Sequence, residues 1–123
     1  MSNQIAPLAR PKVLVVDDMA ANRELLQGHL DDLGYDVREA RDGVEALEAV
    51  AAEEPDLILL DIDMPRLDGI AVCEQLKAHP TRRLIPIVIL TASNDRSTKL
   101  RGIAAGADAV SYTHLTLPTI YSV

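Results

Sequence analysis

Residues 13–18 have the sequence VLVVDD, in which four branched apolar residues are followed directly by two aspartates. Two further runs of this kind occur later in the chain, LILL at residues 57–60 and IVIL at residues 87–90. Uninterrupted apolar runs of this length are typical of strands in a parallel sheet, because helices cover both faces of such a sheet. The three runs therefore predict the central strands of an α/β domain.

The remaining segments predict one edge strand and four helices. Residues 35–39, YDVRE, alternate apolar and polar side chains, which is typical of a strand with one face in water. Gly34 and Gly106 are expected as left-handed caps after the first and fourth helices. Helical spacing predicts buried positions at Leu26, Leu30 and Leu33; at Val44, Leu47 and Val50 or Ala51; at Ile70, Cys73 and Leu76; and at Leu100, Ile103 and Ala107. The alternation of strands and helices predicts a doubly wound parallel sheet with right-handed crossovers.

Composition excludes several classes of protein. The chain has 123 residues, 48% of them hydrophobic and 25% charged, which suits one globular domain. The formal net charge of −7 disfavours contact with nucleic acid or anionic membranes. There is one cysteine, no apolar run near the ~20 residues that span a bilayer, and no opening segment that resembles a signal peptide. We therefore expect a cytoplasmic domain that binds neither nucleic acid nor membrane.

Acidic side chains follow two of the predicted strands. Asp17 and Asp18 come after the first strand and Asp61 after the third, while Thr91 follows the last apolar run. Ligands of doubly wound sheets bind beyond the carboxyl ends of the strands, where the winding reverses. If the edge strand lies outside the first strand, the three carboxylates meet there, and each pair at ~4 Å repels by ~4 kcal/mol at an effective dielectric near 20. A hard cation such as Mg²⁺ would offset this repulsion, and the lack of Cys or His nearby argues against zinc.

Asp61 is the best candidate for a nucleophile. A carboxylate can attack phosphorus to form an aspartyl phosphate, and Asp61 stands alone at its strand end, whereas Asp17 and Asp18 form a pair suited to a cation. The Thr91 hydroxyl can donate to phosphoryl oxygens. Taken singly, each acidic residue could instead be a helix cap or a solvated loop residue.

Four motifs together resemble one known family. They are VLVVDD at residues 13–18, LLDIDMP at 59–65 with Asp68 and Gly69, ILTA at 89–92, and GADA at 106–109. In order and spacing they resemble the receiver domain of bacterial two-component response regulators, over about residues 11–109. The resemblance implies the CheY-like flavodoxin fold, with strand order 2-1-3-4-5. It also implies phosphoryl transfer to Asp61 from a histidine kinase or phosphotransfer protein, in a phosphoacceptor that assists its own phosphorylation and dephosphorylation and is not an enzyme.

The resemblance also assigns the residues of the site. It implies that Asp18 and Asp61 ligate Mg²⁺ together with the backbone carbonyl of Asp63, that Asp17 acts through water, and that Thr91 is the switch hydroxyl. Gly69 is expected to relieve steric crowding after the phosphoacceptor. Asn22 and Arg23 recur at this place in receivers, but at a helix start the simpler expectation is that both are solvated.

Two other functions remain open from the residues alone. The sequence Asp61-Ile62-Asp63 resembles the start of haloacid dehalogenase-like phosphatases, which makes a Mg²⁺-dependent phosphohydrolase the main alternative. That motif belongs on the first strand of a longer chain, however, and here it follows the third strand. A flavodoxin-like FMN site is opposed by the two aspartates of the first turn, because they would repel the phosphate.

The last residues differ from the rest of the chain. All 12 basic and 19 acidic residues lie at or before Asp108. Receivers typically continue after GADA with an aromatic residue, a lysine and a fifth helix, whereas this chain has Val110 and Thr113 at the first two places. The sequence VSYTHLTLPT at 110–119 resembles a translated transposon-end sequencing adapter.

We therefore expect three segments: an N-terminal extension at residues 1–10, a receiver domain at 11–109 that is incomplete at its C-terminal end, and a non-native tail at 110–123. The effector domain would lie C-terminal to the receiver and be missing. A natural receiver without the lysine is the alternative. From about Val110 onward, little burial is expected beyond one short strand beside the fourth strand, because that sheet edge offers unpaired backbone groups.

Overall fold

Five strands alternate with four α-helices in the part of the chain that the computed structural model describes, residues 10–62, 68–91 and 96–112. In chain order the elements are β1 (Lys12–Val16), α1 (Ala20–Asp32), β2 (Asp36–Ala40), α2 (Gly43–Ala52), β3 (Leu57–Asp61), α3 (Gly69–Lys77), a 3₁₀ turn (Arg82–Leu84), β4 (Ile87–Thr91), α4 (Arg96–Ala104) and β5 (Ala109–Tyr112). The alternation agrees with the expected doubly wound α/β arrangement. None of the helices in these ranges is long and apolar enough to cross a lipid bilayer.

The strands form one parallel sheet in the order β2-β1-β3-β4-β5, which confirms the order that the resemblance implied. β1 lies between β2 and β3, with Val16 paired to Ala40 on one side and to Leu60 on the other. β2 is the predicted edge strand, and of its residues only Ala40 is buried. Because β1 and β3 are parallel neighbours, the residues that follow these two strands lie side by side at one edge of the sheet, at the point where the winding reverses.

One continuous apolar cluster lies between one face of the sheet and the helices α2 and α3, with Ala105 after α4. Strand residues in the cluster include Leu14, Val16, Ile58, Leu60, Ile87 and Ile89, all at most 2% exposed. α3 contributes Cys73 and Leu76 as predicted, with Ile70 partly buried against the cluster. α2 contributes Ala46 and Val50, so Val50 and not Ala51 faces the core. The strands that carry the acidic residues are therefore anchored by this buried apolar cluster.

The predicted buried face of α4 is wrong at Leu100 and Ile103, whereas Ala107 is partly buried against the core as predicted. Leu100 and Ile103 are about half exposed, at 52% and 51%, and the helix instead approaches the sheet through Gly102 and Ala105. A Cβ on Gly102 would lie 2.8 Å from Cγ2 of Val110, so only glycine permits this close packing. Since the helix turns this small-residue side inward, its larger apolar side chains point away from the sheet.

The predicted burial of α1 is also wrong at Leu33. This residue is 71% exposed, and no residue of α1 is fully buried, although Leu26 and Leu30 are partly covered. Leu33 follows the last helical residue, and its amide donates to the carbonyls of the final turn. Gly34, with φ +92°, then turns the chain toward β2, and Gly106, with φ +98°, does the same after α4, as predicted.

A partly buried lysine, Lys77, joins α3 to the starts of β4 and β5. Nζ of Lys77 donates to the carbonyls of Arg83 (3.0 Å) and Ile85 (2.9 Å) and to the carboxylate of Asp108 (2.9 Å). The same carboxylate oxygen accepts from the amide of Ile87 at 2.8 Å. These contacts hold Asp108 beside β4, and β5 then pairs with β4 from Ala109 to Tyr112. The expected short strand at this edge is therefore present, while residues 113–123 lie outside the described part.

Candidate functional site

Three carboxylates meet at the carboxyl edge of the sheet. Asp17 and Asp18 follow β1, Asp61 is the last residue of β3, and one oxygen from each lies within 4.8 Å of the others. The expected proximity is observed because β1 and β3 are neighbours in register. Asp17 is 7% exposed, Asp61 is half-buried and Asp18 is exposed, so the cluster opens to solvent on the Asp18 side.

Asp17 is the most enclosed member of this acidic cluster. Its Oδ1 accepts from the backbone amide of Met19 at 2.9 Å, and its Oδ2 accepts from the side-chain amide of Asn22 at 3.2 Å. Burial raises the pKa of Asp17 above its ordinary value, and the charge of Asp18 adds to this, although the two hydrogen bonds act in the opposite direction. The folded chain therefore holds a negative charge there that its own groups only partly compensate.

Arg23 links the turn after β1 to the edge strand β2. Its guanidinium donates to the backbone carbonyl of Asp17 at 2.8 Å and to the carboxylate of Glu39 on β2 at 3.0 Å. The arginine side chain is only 12% exposed. The expectation that Asn22 and Arg23 are solvated is therefore wrong, because the first turns of α1 lie against the Asp17 loop. Their spacing of five and six residues from Asp17 is the signal that could have indicated this contact.

α3 begins in direct contact with the backbone that carries Asp61. A Cβ on Gly69 would meet the carbonyl oxygen of Asp61 and would lie 2.8 Å from Cα of Ile62. The Gly69 amide donates to the carbonyl of Ile62 at 3.1 Å, and Asp68 caps the helix by accepting from the Ala71 amide at 2.8 Å. The predicted role of Gly69, to relieve crowding after Asp61, is thus confirmed.

Thr91 completes the edge on the next strand. It is the last residue of β4 and only 3% exposed. Asp61 pairs with Leu90 in the β3–β4 register, so Thr91 lies one residue beyond the level of Asp61. Asp63, Ala92 and Thr113, which the sequence analysis also assigned to the site or its surroundings, lie outside the described residues.

The donor set fits a hard divalent cation. All three candidate ligand atoms are carboxylate oxygens, and the described residues place no His or Cys in the group. With Mg–O bonds of about 2.1 Å, oxygens within 4.8 Å of one another fit one ion held by some carboxylates directly and by others through water. A cation here would also offset the uncompensated charge of the buried Asp17.

Comparison with known proteins agrees with this geometry. The family model of the response regulator receiver domain matches residues 13–111. The response regulator MprA of Mycobacterium ulcerans is 50% identical over 97 residues, which cover 79% of this chain and 41% of that protein. The chemotaxis protein CheY4 of Vibrio cholerae has a similar structure, with a TM-score of 0.83 and 31% identity over 92% of this chain and 94% of that chain. The Mn²⁺-bound form of response regulator Rcp1 gives a TM-score of 0.82 and 25% identity over 90% and 86% of the two chains.

The parallel sheet with an acidic edge defines a CheY-like signalling domain of the flavodoxin-like fold. The chain belongs to the response regulator receiver domain family of two-component systems. Receivers of this family act with histidine kinases and with effector domains. The chain spans about two fifths of the length of the curated relative MprA, at 41%.

Proposed function

We propose that this receiver accepts a phosphoryl group on Asp61 in a Mg²⁺-dependent reaction. The observation that carries the proposal is the meeting of Asp17, Asp18 and Asp61 at the carboxyl edge, where Asp61 is the last residue of β3. Asp18 and Asp61 would ligate the ion with the backbone carbonyl of Asp63, and Asp17 would act through water. Mn²⁺ bound to Rcp1, a related receiver, supports a divalent cation in this fold.

Asp61 supplies the bond-forming atom. One of its carboxylate oxygens bonds to phosphorus as the bond from phosphorus to the donor's imidazole nitrogen breaks, and the leaving nitrogen keeps that electron pair and takes a proton. The bound cation would neutralise charge on the phosphoryl oxygens. The Thr91 hydroxyl would donate to one of those oxygens and follow the group as it arrives. The domain thereby assists its own phosphorylation and later hydrolysis, and it has no outside substrate.

Intact-mass spectrometry after incubation with acetyl phosphate and Mg²⁺ tests this proposal. We expect one phosphoryl adduct on the wild-type chain, none on Asp61→Asn, and none when Mg²⁺ is chelated. Asp36→Asn is the matched control, because Asp36 is exposed at the opposite end of the sheet. An adduct of full yield on Asp61→Asn would assign the chemistry to another residue.

We further propose a histidine kinase or a phosphotransfer protein as the phosphoryl donor, and an effector domain C-terminal to the receiver as the partner that responds. The length of MprA beyond the matched region supports an effector in the complete protein. The net charge of −7 supports a domain that touches neither nucleic acid nor membrane directly. The cytoplasm is the proposed compartment, because the one cysteine of the chain cannot form an internal disulfide. Phosphotransfer from purified kinases of the source genome would test the choice of donor.

The domain boundaries are also a proposal: an extension at residues 1–10, the receiver at 11–109, and a non-native tail at 110–123. Its support is the loss of all charged residues after Asp108 together with the adapter-like sequence at 110–119. Pairing of β5 with β4 is compatible with it, because an open sheet edge accepts any backbone that follows. Unassembled reads should show adapter bases after the codon for Ala109, whereas the same tail in independent genomic clones would establish a natural receiver without the lysine.

A further inference from the structure

The carboxylate of Asp17 is held at both oxygens, and one of the two donors is a side chain. The Met19 amide donates a hydrogen bond to Oδ1, and Nδ2 of Asn22 donates one to Oδ2 at 3.2 Å. The Met19 amide belongs to the turn itself, so it moves with Asp17. Asn22, by contrast, is fixed on α1, where its own amide donates to the carbonyl of Met19 at 3.1 Å. Asn22 is therefore the group that sets the rotation of the Asp17 carboxylate relative to the helix.

The backbone beneath this carboxylate is fixed separately. Arg23 bonds the carbonyl of Asp17 and is itself held by Glu39 of the edge strand. The amide of Asp17 donates to the carbonyl of Ala40 at 3.1 Å. Because the main chain is anchored on both sides, loss of the Asn22 amide would leave the carboxylate held only by the Met19 amide at Oδ1, so Oδ2 could change its position without moving the turn.

We propose that Asn22 is a positioning residue for the cation site, which orients the Asp17 carboxylate toward the ion shared with Asp18 and Asp61. This inference rests on the proposed function, since it concerns the Mg²⁺ of the same site. Groups that hold metal-binding residues in place commonly contribute about 10- to 100-fold to metal affinity. A partner that acts on one carboxylate of a solvent-open cluster belongs at the lower end of this range, so we expect about tenfold weaker Mg²⁺ binding without the amide.

The test is a Mg²⁺ titration of the full 123-residue chain followed by NMR of backbone and side-chain amides. Asn22→Ala removes the amide and some volume, whereas Asn22→Leu removes the amide and keeps the volume. Both should weaken Mg²⁺ binding about tenfold. Gln27→Ala is the control, because Gln27 is an exposed amide residue on the same helix, and it should bind Mg²⁺ within twofold of wild type.

Two further readouts separate positioning from stability. Alanine and leucine are better helix formers than asparagine, which offsets part of the cost of leaving Oδ2 of the buried Asp17 without its Asn22 donor, so both variants should stay folded at the titration temperature while they lose affinity. In the wild type, the side-chain amide signal of Asn22 should shift with the same Mg²⁺ midpoint as the backbone amide of Asp18. If Asn22 were merely structural, its variants would change the melting temperature and leave the Mg²⁺ midpoint of the Asp18 amide at its wild-type value.

The outcomes are distinct. Wild-type affinity in both Asn22 variants overturns the inference and leaves phosphorylation at Asp61 untouched. Weakening in Asn22→Ala alone assigns the effect to lost packing and also overturns it. If the wild-type chain binds no Mg²⁺ and forms no adduct at Asp61, the proposed function fails, and this inference fails with it. Equal weakening in both variants, with unchanged Gln27→Ala, supports the positioning role.

Discussion

Replacing Gly69 by alanine should destabilise the domain, whereas the same replacement at Gly28 should stabilise it. The added Cβ would meet the carbonyl oxygen of Asp61 and lie 2.8 Å from Cα of Ile62, where carbon atoms ordinarily sit ~3.5–4.0 Å apart. These are backbone atoms, so no side-chain rotation relieves the contact. Forcing extra atoms into a packed site costs about 1–3 kcal/mol, and a contact with backbone belongs at the upper end. Lower chain entropy in the unfolded state returns about 0.4–1 kcal/mol. The net loss of stability is therefore about 2 kcal/mol.

Gly28 supplies the matched control. It lies within α1, is exposed, and a Cβ there would meet no atom within 4 Å. Gly28→Ala should stabilise the domain by about 0.5–1 kcal/mol, because alanine is the better helix former. At about 4 °C per kcal/mol for a domain of this size, Gly69→Ala should melt about 8 °C below wild type and Gly28→Ala about 2–4 °C above it. Thermal unfolding followed by circular dichroism measures both, and a Gly69→Ala variant that melts at or above wild type would refute the packing argument.

Two further predictions concern the cation site and the lysine beneath β5. Asp18→Ala should weaken Mg²⁺ binding in NMR titrations far more than Thr91→Ala, because the carboxylate brings negative charge to the ion whereas the hydroxyl contacts only the phosphoryl group. Equal Mg²⁺ affinity in Asp18→Ala and wild type would contradict the proposed ligand set. Lys77→Met should lower the free energy of unfolding by about 1–2 kcal/mol; the loss is no larger because the Asp108 carboxylate is half-exposed and solvent screens its ion pair with Lys77. The control Lys99→Met, at an exposed position of α4, should change the free energy of unfolding by less than about 0.5 kcal/mol. The Lys77 hydrogen bond holds the pKa of Asp108 below its ordinary 3.8, so the stability that this pair contributes is present above pH 3.8 and is lost as the pH falls through the lowered pKa. In urea unfolding, the difference in stability between Lys77→Met and wild type should therefore be smaller at acid pH than at neutral pH.

The strands could be predicted because they depend on local sequence, and the meeting of the three carboxylates could be predicted because the motif resemblance supplied the strand order. An unbroken run such as VLVV is short, rich in branched residues and apolar on both faces, which favours a covered strand, and its direct continuation into Asp17 and Asp18 places them at the strand end. Asp61 follows its own run in the same way. Parallel strands present their carboxyl ends at one edge, and the motif resemblance supplied the strand order that makes β1 and β3 neighbours. Local pattern and strand order together were enough to locate the acidic cluster.

Helical spacing, in contrast, could not determine which side of α4 faces the sheet. Leu100 and Ile103 form an apolar stripe that hydrophobicity alone would bury, yet the helix packs through Gly102 and Ala105. The outcome depends on how closely the backbone at Gly102 can approach Ile89 of β4 and the neighbouring Val110, and these distances are set by tertiary packing and not by helical spacing.

The sequence by itself thus determined the order of the elements and the chemistry at the strand ends, because periodicity and strand-terminal residues are properties of neighbouring positions. Only the tertiary structure decided what supports that chemistry. Asn22 and Arg23 reach back to Asp17, and Lys77 reaches Asp108 across 31 positions. In the sequence each of these looks like an ordinary polar residue of a helix. The partner of a long polar side chain depends on where the packed helices place it, and that placement follows from burial of the whole apolar core.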